Sequence, residues 1–157
     1  MQKITPCLWF DRQAEEAARF YVSVFKNSKV GEINRSGEGA PLPKGTVLTV
    51  RFQLDGQEFL ALNGGPMFQF TEAVSLIVNC ETQDEVDRMW DKLSEGGHQV
   101  QCGWLKDKYG LSWQIVPTVL GKMLSDPEPG RAGRVMKALL QMKKLDIEKL
   151  EEAYARP

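Results

Sequence analysis

Histidine is nearly absent from this chain: among 157 residues there is one, His98, which follows the SEGG turn ahead of a strand. Imidazole is the commonest metal ligand and the usual general base near neutral pH, so either chemistry would need His98 beside a cavity or other groups altogether. Cysteine is sparse as well. Cys7, Cys80 and Cys102 are odd in number, widely spaced and in no CxxC pair, which excludes a disulfide scaffold and fits a reducing compartment. No apolar run approaches the ~18 residues that a membrane helix needs, and MQKITPCLWF has neither the apolar core nor the cleavage site of a signal peptide. The expected location is the cytoplasm, with no membrane partner. An excess of one charge is also missing, since 20 Lys and Arg stand against 21 Asp and Glu for a net −1, and nothing points to nucleic acid.

What remains is an ordinary globular composition, 42% hydrophobic and 26% charged, in a chain long enough to bury about 68–70% of its unfolded surface. The simplest organisation is one domain over residues 1–157, and an internal repeat orders it. ITPCLWFD reads as a strand, and QAEEAARFYVSVF follows with apolar residues at Ala14, Ala17, Ala18, Tyr21 and Val24, the spacing of a helix. After a Gly- and Pro-rich loop at 36–45 come TVLTVRFQLD, a turn at Asp55-Gly56, and QEFLALN, a hairpin. The order then repeats. VSLIVNC is a strand; QDEVDRMWDKLSEGG is a helix with Val86, Met89, Trp90 and Leu93 on one face, and Thr82 and Glu85 form a capping box. HQVQCGWL and LSWQIVP supply closing strands. A shift of 69 positions lays Glu16, Arg19, Phe20 and Tyr21 on Glu85, Arg88, Met89 and Trp90, while FLALN against SWQIV sets Ala61 opposite Gln114. The expected fold is α+β, two tandem βαβββ modules at 1–66 and 67–117 with a helical tail at 118–157. The tail's stripes, Val135, Ala138, Leu139 and Met142, then Ile147, Leu150 and Tyr154, must be buried on something, as core or at a dimer contact.

The layout, the entry LWFDRQAEEAARFYVSVF, the middle LALNGGP and the ending DKYGLSWQIVP resemble the vicinal-oxygen-chelate superfamily of glyoxalases, bleomycin-resistance proteins and dioxygenases, and within it the PhnB-like branch. That branch is often labelled 3-demethylubiquinone-9 3-methyltransferase. The label is not matched by a Gly-rich turn between a strand and a helix, because SGEGAP lies in a hairpin-side loop and LNGGP follows a strand with no helix behind it. The resemblance implies four metal-ligand positions, which fall at Thr5 (or Ile4), Ala61, Val74 (or Ala73) and Gln114. None is a carboxylate or an imidazole, so no metal and no cofactor is expected. Gln114 then stands where a ligand Glu would, as a neutral hydrogen-bonding group, or is simply paired with its strand neighbours.

Alternation along the strands sorts the other candidates. Ser112 shares a face with Gln114, while Trp113 and Ile115 point at a helix. Thr5, Cys7 and Trp9 are expected to line a cavity, with Leu8 and Phe10 against the first helix. Phe59, Ala61 and Asn63 are expected to do the same as Thr5, Cys7 and Trp9. Trp104, on a loop entering the last strand, is a candidate lid; Asp107 is read as a turn former and Lys106 as solvated. The strand near Val74 cannot be phased. Cys7 and Cys102 lack the cationic surroundings of a reactive thiol and read as buried, structural residues.

Two functions fit. One is a metal-independent protein that binds an unidentified, partly aromatic or amphipathic small molecule through Thr5, Cys7, Trp9, Phe59, Asn63, Trp104, Ser112 and Gln114. The other is an enzyme of the same fold, a diverged lyase, isomerase or oxygenase, or the methyltransferase of the label. The resemblance and the half-open sheets also imply a homodimer.

Overall fold

Alternating CLWF forms the first strand, β1 (Cys7–Phe10), with Leu8 and Phe10 buried, and the chain turns at once into α1 (Ala14–Val24). The computed structural model describes residues 2–156. It divides into two units, Met1–Phe70 and Thr71–Pro157; the first break therefore falls at 70/71 where 66/67 was expected, and the tail belongs to the second unit.

In the first unit α1 is followed by β2 (Lys29–Arg35), β3 (Val47–Leu54) and β4 (Gln57–Asn63). The strand order is β1-β4-β3-β2, with β1 parallel to β4 and the other pairs antiparallel. Asp55 and Gly56, both at positive φ, make the two-residue turn that sets Leu54 opposite Gln57 and hence Phe52 opposite Phe59. β2, which precedes the 36–45 loop, completes the βαβββ count; its pairing with β3 is interrupted by two register shifts. The core is the α1 face of the sheet: Ala14, Ala17, Ala18, Tyr21 and Val24 from the helix meet Val50, Phe52, Phe59 and Ala61, and the rings of Tyr21, Phe52 and Phe59 stack at 6.2 and 5.4 Å.

The second unit repeats the order with β5 (Ser75–Cys80), α2 (Gln83–Ser94), β6 (His98–Gln99), β7 (Trp104–Lys106) and β8 (Ser112–Pro117), in the sheet order β5-β8-β7-β6. Thr82 caps α2 by accepting from the Glu85 amide, and the Glu85 carboxylate accepts from the Glu81 amide. Gly97 is required where the chain leaves α2, because a Cβ there would stand 2.1 Å from the Lys106 carbonyl oxygen. α2 begins 69 positions after α1, as the repeat predicts.

Three helices close this unit: α3 (Thr118–Leu124), α4 (Arg131–Leu139) and α5 (Ile147–Ala155). Val135, Leu139 and Leu150 pack with Leu120, Met123 and Leu145 in one buried cluster, against which Cys102, Val116 and Met142 are half-buried. The apolar stripes of the tail are thus consumed largely within the unit. Met136 and Leu140 stay exposed.

Candidate functional site

Each sheet has one face against its module's helix and one face away from it, and the pairing registers decide which side chain stands where. In the first unit, Cys7 pairs with Leu60 and Trp9 with Leu62, while Leu60 pairs with Arg51 and Leu62 with Thr49. The face away from α1 therefore carries Cys7, Leu60 and Arg51 in one row and Trp9, Leu62, Thr49 and Asn34 in the next. Thr5, just ahead of β1, is half-buried.

Phe59, Ala61 and Asn63 are on the opposite face, which corrects the expectation that they line the cavity. Phe59 is part of the α1 core, and Asn63 serves the fold: its Oδ1 accepts from the Ala14 amide at 2.8 Å and its Nδ2 donates to the Val47 carbonyl at 3.0 Å. Gln13, at the N-cap of α1, provides no side-chain cap, so Asn63 satisfies an amide that the helix leaves open. Ala61 likewise is fully buried and on the helix side. The positions sharing Gln114's side are Leu60 and Leu62.

Trp9 is held rather than loose. Its Nε1 donates to the Gly65 carbonyl at 2.9 Å, Phe68 meets its ring edge-on at 4.9 Å, and a Cβ on Gly64 would lie 2.4 Å from the indole. The glycines of LNGGP thus serve to seat an aromatic ring. Cys7 is exposed, where a buried structural residue was expected, because it stands on the sheet face away from α1; the partial burial it has still pushes its thiol up from the ordinary value.

In the second unit, Ser75 pairs with Ser112 and Ile77 with Gln114, which phases the strand near Val74: Ser75 and Ile77 share a face with Ser112 and Gln114. Gln114 donates through Nε2 to the Ser75 hydroxyl at 2.9 Å. Its amide is thus paired, with a side chain rather than with backbone. Trp104 is a strand residue of β7 opposite Gln114, half-buried, where a loop position was expected. Lys106, opposite Ser112, is bridged to Glu72 at 2.7 Å instead of standing free in solvent. His98 is exposed on β6, opposite Lys106. Ser112 is fully buried, and its hydroxyl has no hydrogen-bond partner among the described residues.

Asp107 is a turn former, as expected, and more. It is 2% exposed, its Oδ1 accepts from the Tyr109 and Leu111 amides, and its Oδ2 accepts from the Trp113 indole at 2.9 Å. The carboxylate ties the turn to the α2-side core and does not face the Gln114 side.

The donors away from the helices, the paired carboxamides of Gln114 and Asn34, hydroxyls, the Glu58 carboxylate that already accepts from the Gln2 backbone amide, and a thiol whose proton is held by burial, do not fit a divalent metal, which needs several anionic or imidazole donors grouped together. Among the described residues no three of His, Cys, Asp and Glu are grouped to hold an ion. A separate groove of about 780 Å³ lies in the second unit between the start of α2 and the 141–151 stretch. Many of its polar groups are already matched: Gln83 donates to the Leu145 carbonyl and accepts from the Ile147 amide, Lys144 pairs with Asp87 at 3.0 Å, and Asp146 caps α5.

The sequence missed Arg51, Leu60, Leu62, Ser75 and Ile77. The first three were legible from the Asp55-Gly56 turn, because β3 alternates Val50, Phe52, Leu54 with Thr49, Arg51, Gln53, and the turn register transfers that polarity to β4.

Comparison with known proteins places this geometry. The family described as 3-demethylubiquinone-9 3-methyltransferase matches residues 2–116. The PhnB protein from Bacillus cereus, whose structure carries the same family description, is 41% identical, with a TM-score of 0.69 over 74% of this chain and 100% of that one. Protein PA1353 from Pseudomonas aeruginosa is 20% identical, with a TM-score of 0.62 over 74% of this chain and 98% of its own, a likeness of fold. No curated protein matches. By its family match, its relative and its tandem βαβββ units, the chain belongs to the 3-demethylubiquinone-9 3-methyltransferase family, the PhnB-like branch of the vicinal-oxygen-chelate superfamily.

Proposed function

We propose that this protein binds a small amphipathic molecule, without a metal, on the sheet faces turned away from α1 and α2. The observation that carries the reading is Ser112: a hydroxyl fully out of solvent with no partner among the described residues, beside Gln114 and opposite Lys106. An orphaned buried hydroxyl costs about 1–3 kcal/mol, and a ligand group that hydrogen-bonds to it removes that cost. On the second unit's face Trp104 and Ile77 supply apolar surface around few polar groups, and on the first unit's own face Trp9, Leu60 and Leu62 do so, the usual lining of a small-molecule site. Metal independence follows from the donor set. A cytoplasmic location suits three unpaired thiols, of which Cys7 is exposed.

The test is a thermal-shift screen of the whole chain with small aromatic and amphipathic compounds, alongside nickel, zinc, manganese and iron. Compounds that raise the melting temperature, and lose that effect in Ser112→Ala, are expected; none of the metals is. Elemental analysis near one metal per chain, or stabilisation by a metal alone, contradicts the reading.

A further inference from the structure

Arg51 sits on the inner strand β3, on the face away from α1. Across β4 its row continues to Leu60 and Cys7; the next row holds Thr49, Leu62 and Trp9. On the other side, at the register shift between Val30 and Ile33, a Cβ on Gly31 would lie 3.7 Å from that of Arg51, so the residue beside it brings no side chain. Arg51 is half-buried, and its guanidinium makes no hydrogen bond or ion pair with any described residue. Glu58, one row away on the same face, instead accepts from the Gln2 amide. A planar fork of donors without a partner, in rows made of leucine, tryptophan, cysteine and small polar groups and with the neighbouring Glu58 carboxylate engaged by Gln2, is suited to a carboxylate, which it can grip by two parallel charge-assisted hydrogen bonds.

We infer that the first unit's face selects organic anions: molecules with an apolar or aromatic body and one carboxylate or like group, the body against Leu60, Leu62 and Trp9 and the anion on Arg51. This rests on the small-molecule reading above and narrows it to a ligand class and a specificity-determining residue. Thr49 and Asn34, joined by a 3.4 Å hydrogen bond, stand beside Arg51 as neutral polar groups and do not compete for its charge.

The test uses two ligands of one shape, 2-naphthoate and its uncharged amide 2-naphthamide, titrated calorimetrically into the whole chain. Wild type is expected to prefer the naphthoate by about tenfold or more, the scale of a charged hydrogen bond. Arg51→Gln should lose the preference while still binding the amide, and Arg51→Lys should keep part of it. The Arg51 Nε–H resonance of the wild type gives a second readout that needs no variant: naphthoate should move it and naphthamide should not. Equal affinity for the two ligands, an unmoved Arg51 resonance, or a preference that survives in Arg51→Gln overturns the inference and leaves the broader reading standing. Failure of both ligands to bind overturns the two together.

Discussion

The carboxylate of Asp107 gathers three donors: the amides of Tyr109 and Leu111 and the indole of Trp113. Its removal takes these acceptors from a buried indole N–H and two turn amides, and each buried donor so stranded costs about 1–3 kcal/mol. Asp107→Ala should therefore lower stability by about 3 kcal/mol in urea unfolding, with a small effect on ligand binding. A loss under about 1 kcal/mol sinks this account of the turn. The thiols make a second residue-scale contrast. Burial, then the nearby Glu85 charge, pushes Cys80 up from 9.0 to about 12, so its thiolate is scarce at any ordinary pH. A proton held more tightly in the folded state means that stability is full below the unfolded thiol's value near 9 and is lost as pH rises from there toward 12. In labelling at about pH 8, near the ordinary thiol range, Cys7 should react in the native protein and Cys80 only once it unfolds. Fast native labelling of Cys80 contradicts its placement.

At the scale of elements, β4 is the informative strand, because both of its faces look apolar in sequence. Phe59 lies in the α1 core and Leu60 on the opposite face. Phe59→Ala should cost about 3–5 kcal/mol, whereas Leu60→Gln should change stability by less than about 1 kcal/mol. Comparable losses in unfolding titrations would falsify the register. The same strand explains what could be read in advance. The helices were visible in their spacing and in the Thr82 cap, and the 69-position repeat between them holds to the residue. The strands do not keep that offset in their facing: Leu8 and Phe10 face α1 while Leu76 and Val78 face α2. The separate alignment of FLALN with SWQIV failed in the same way: it placed Ala61, rather than Leu60 or Leu62, on Gln114's side. Asn63 followed Ala61 by alternation onto that side, whereas its amide serves the first turn of α1.

At the scale of the whole molecule, we propose a homodimer, and the structure changes which surfaces can form it. Leu139 is 8% exposed in the tail's own cluster, so a charge there should unfold the tail rather than dissociate two chains. The long edge strand β2, with register shifts and the charges of Lys29, Glu32 and Arg35, carries the usual protections against edge pairing. Met136 and Leu140, exposed on and just after α4, remain as candidates. Sedimentation at low micromolar concentration should give one species near twice the 17.7 kDa chain mass, and Met136→Glu with Leu140→Glu should return it to one chain. A single 17.7 kDa species in the wild type refutes the dimer. The central claim, that the faces away from α1 and α2 hold a small molecule, is tested most directly by methyl NMR with a compound that raises the melting temperature. The account predicts that the methyl signals of Leu60, Leu62 and Ile77 move while those of Val50 and Ile115 in the helix-side cores stay; movement confined to Ile147 and Met142, which line the 780 Å³ groove, would contradict it.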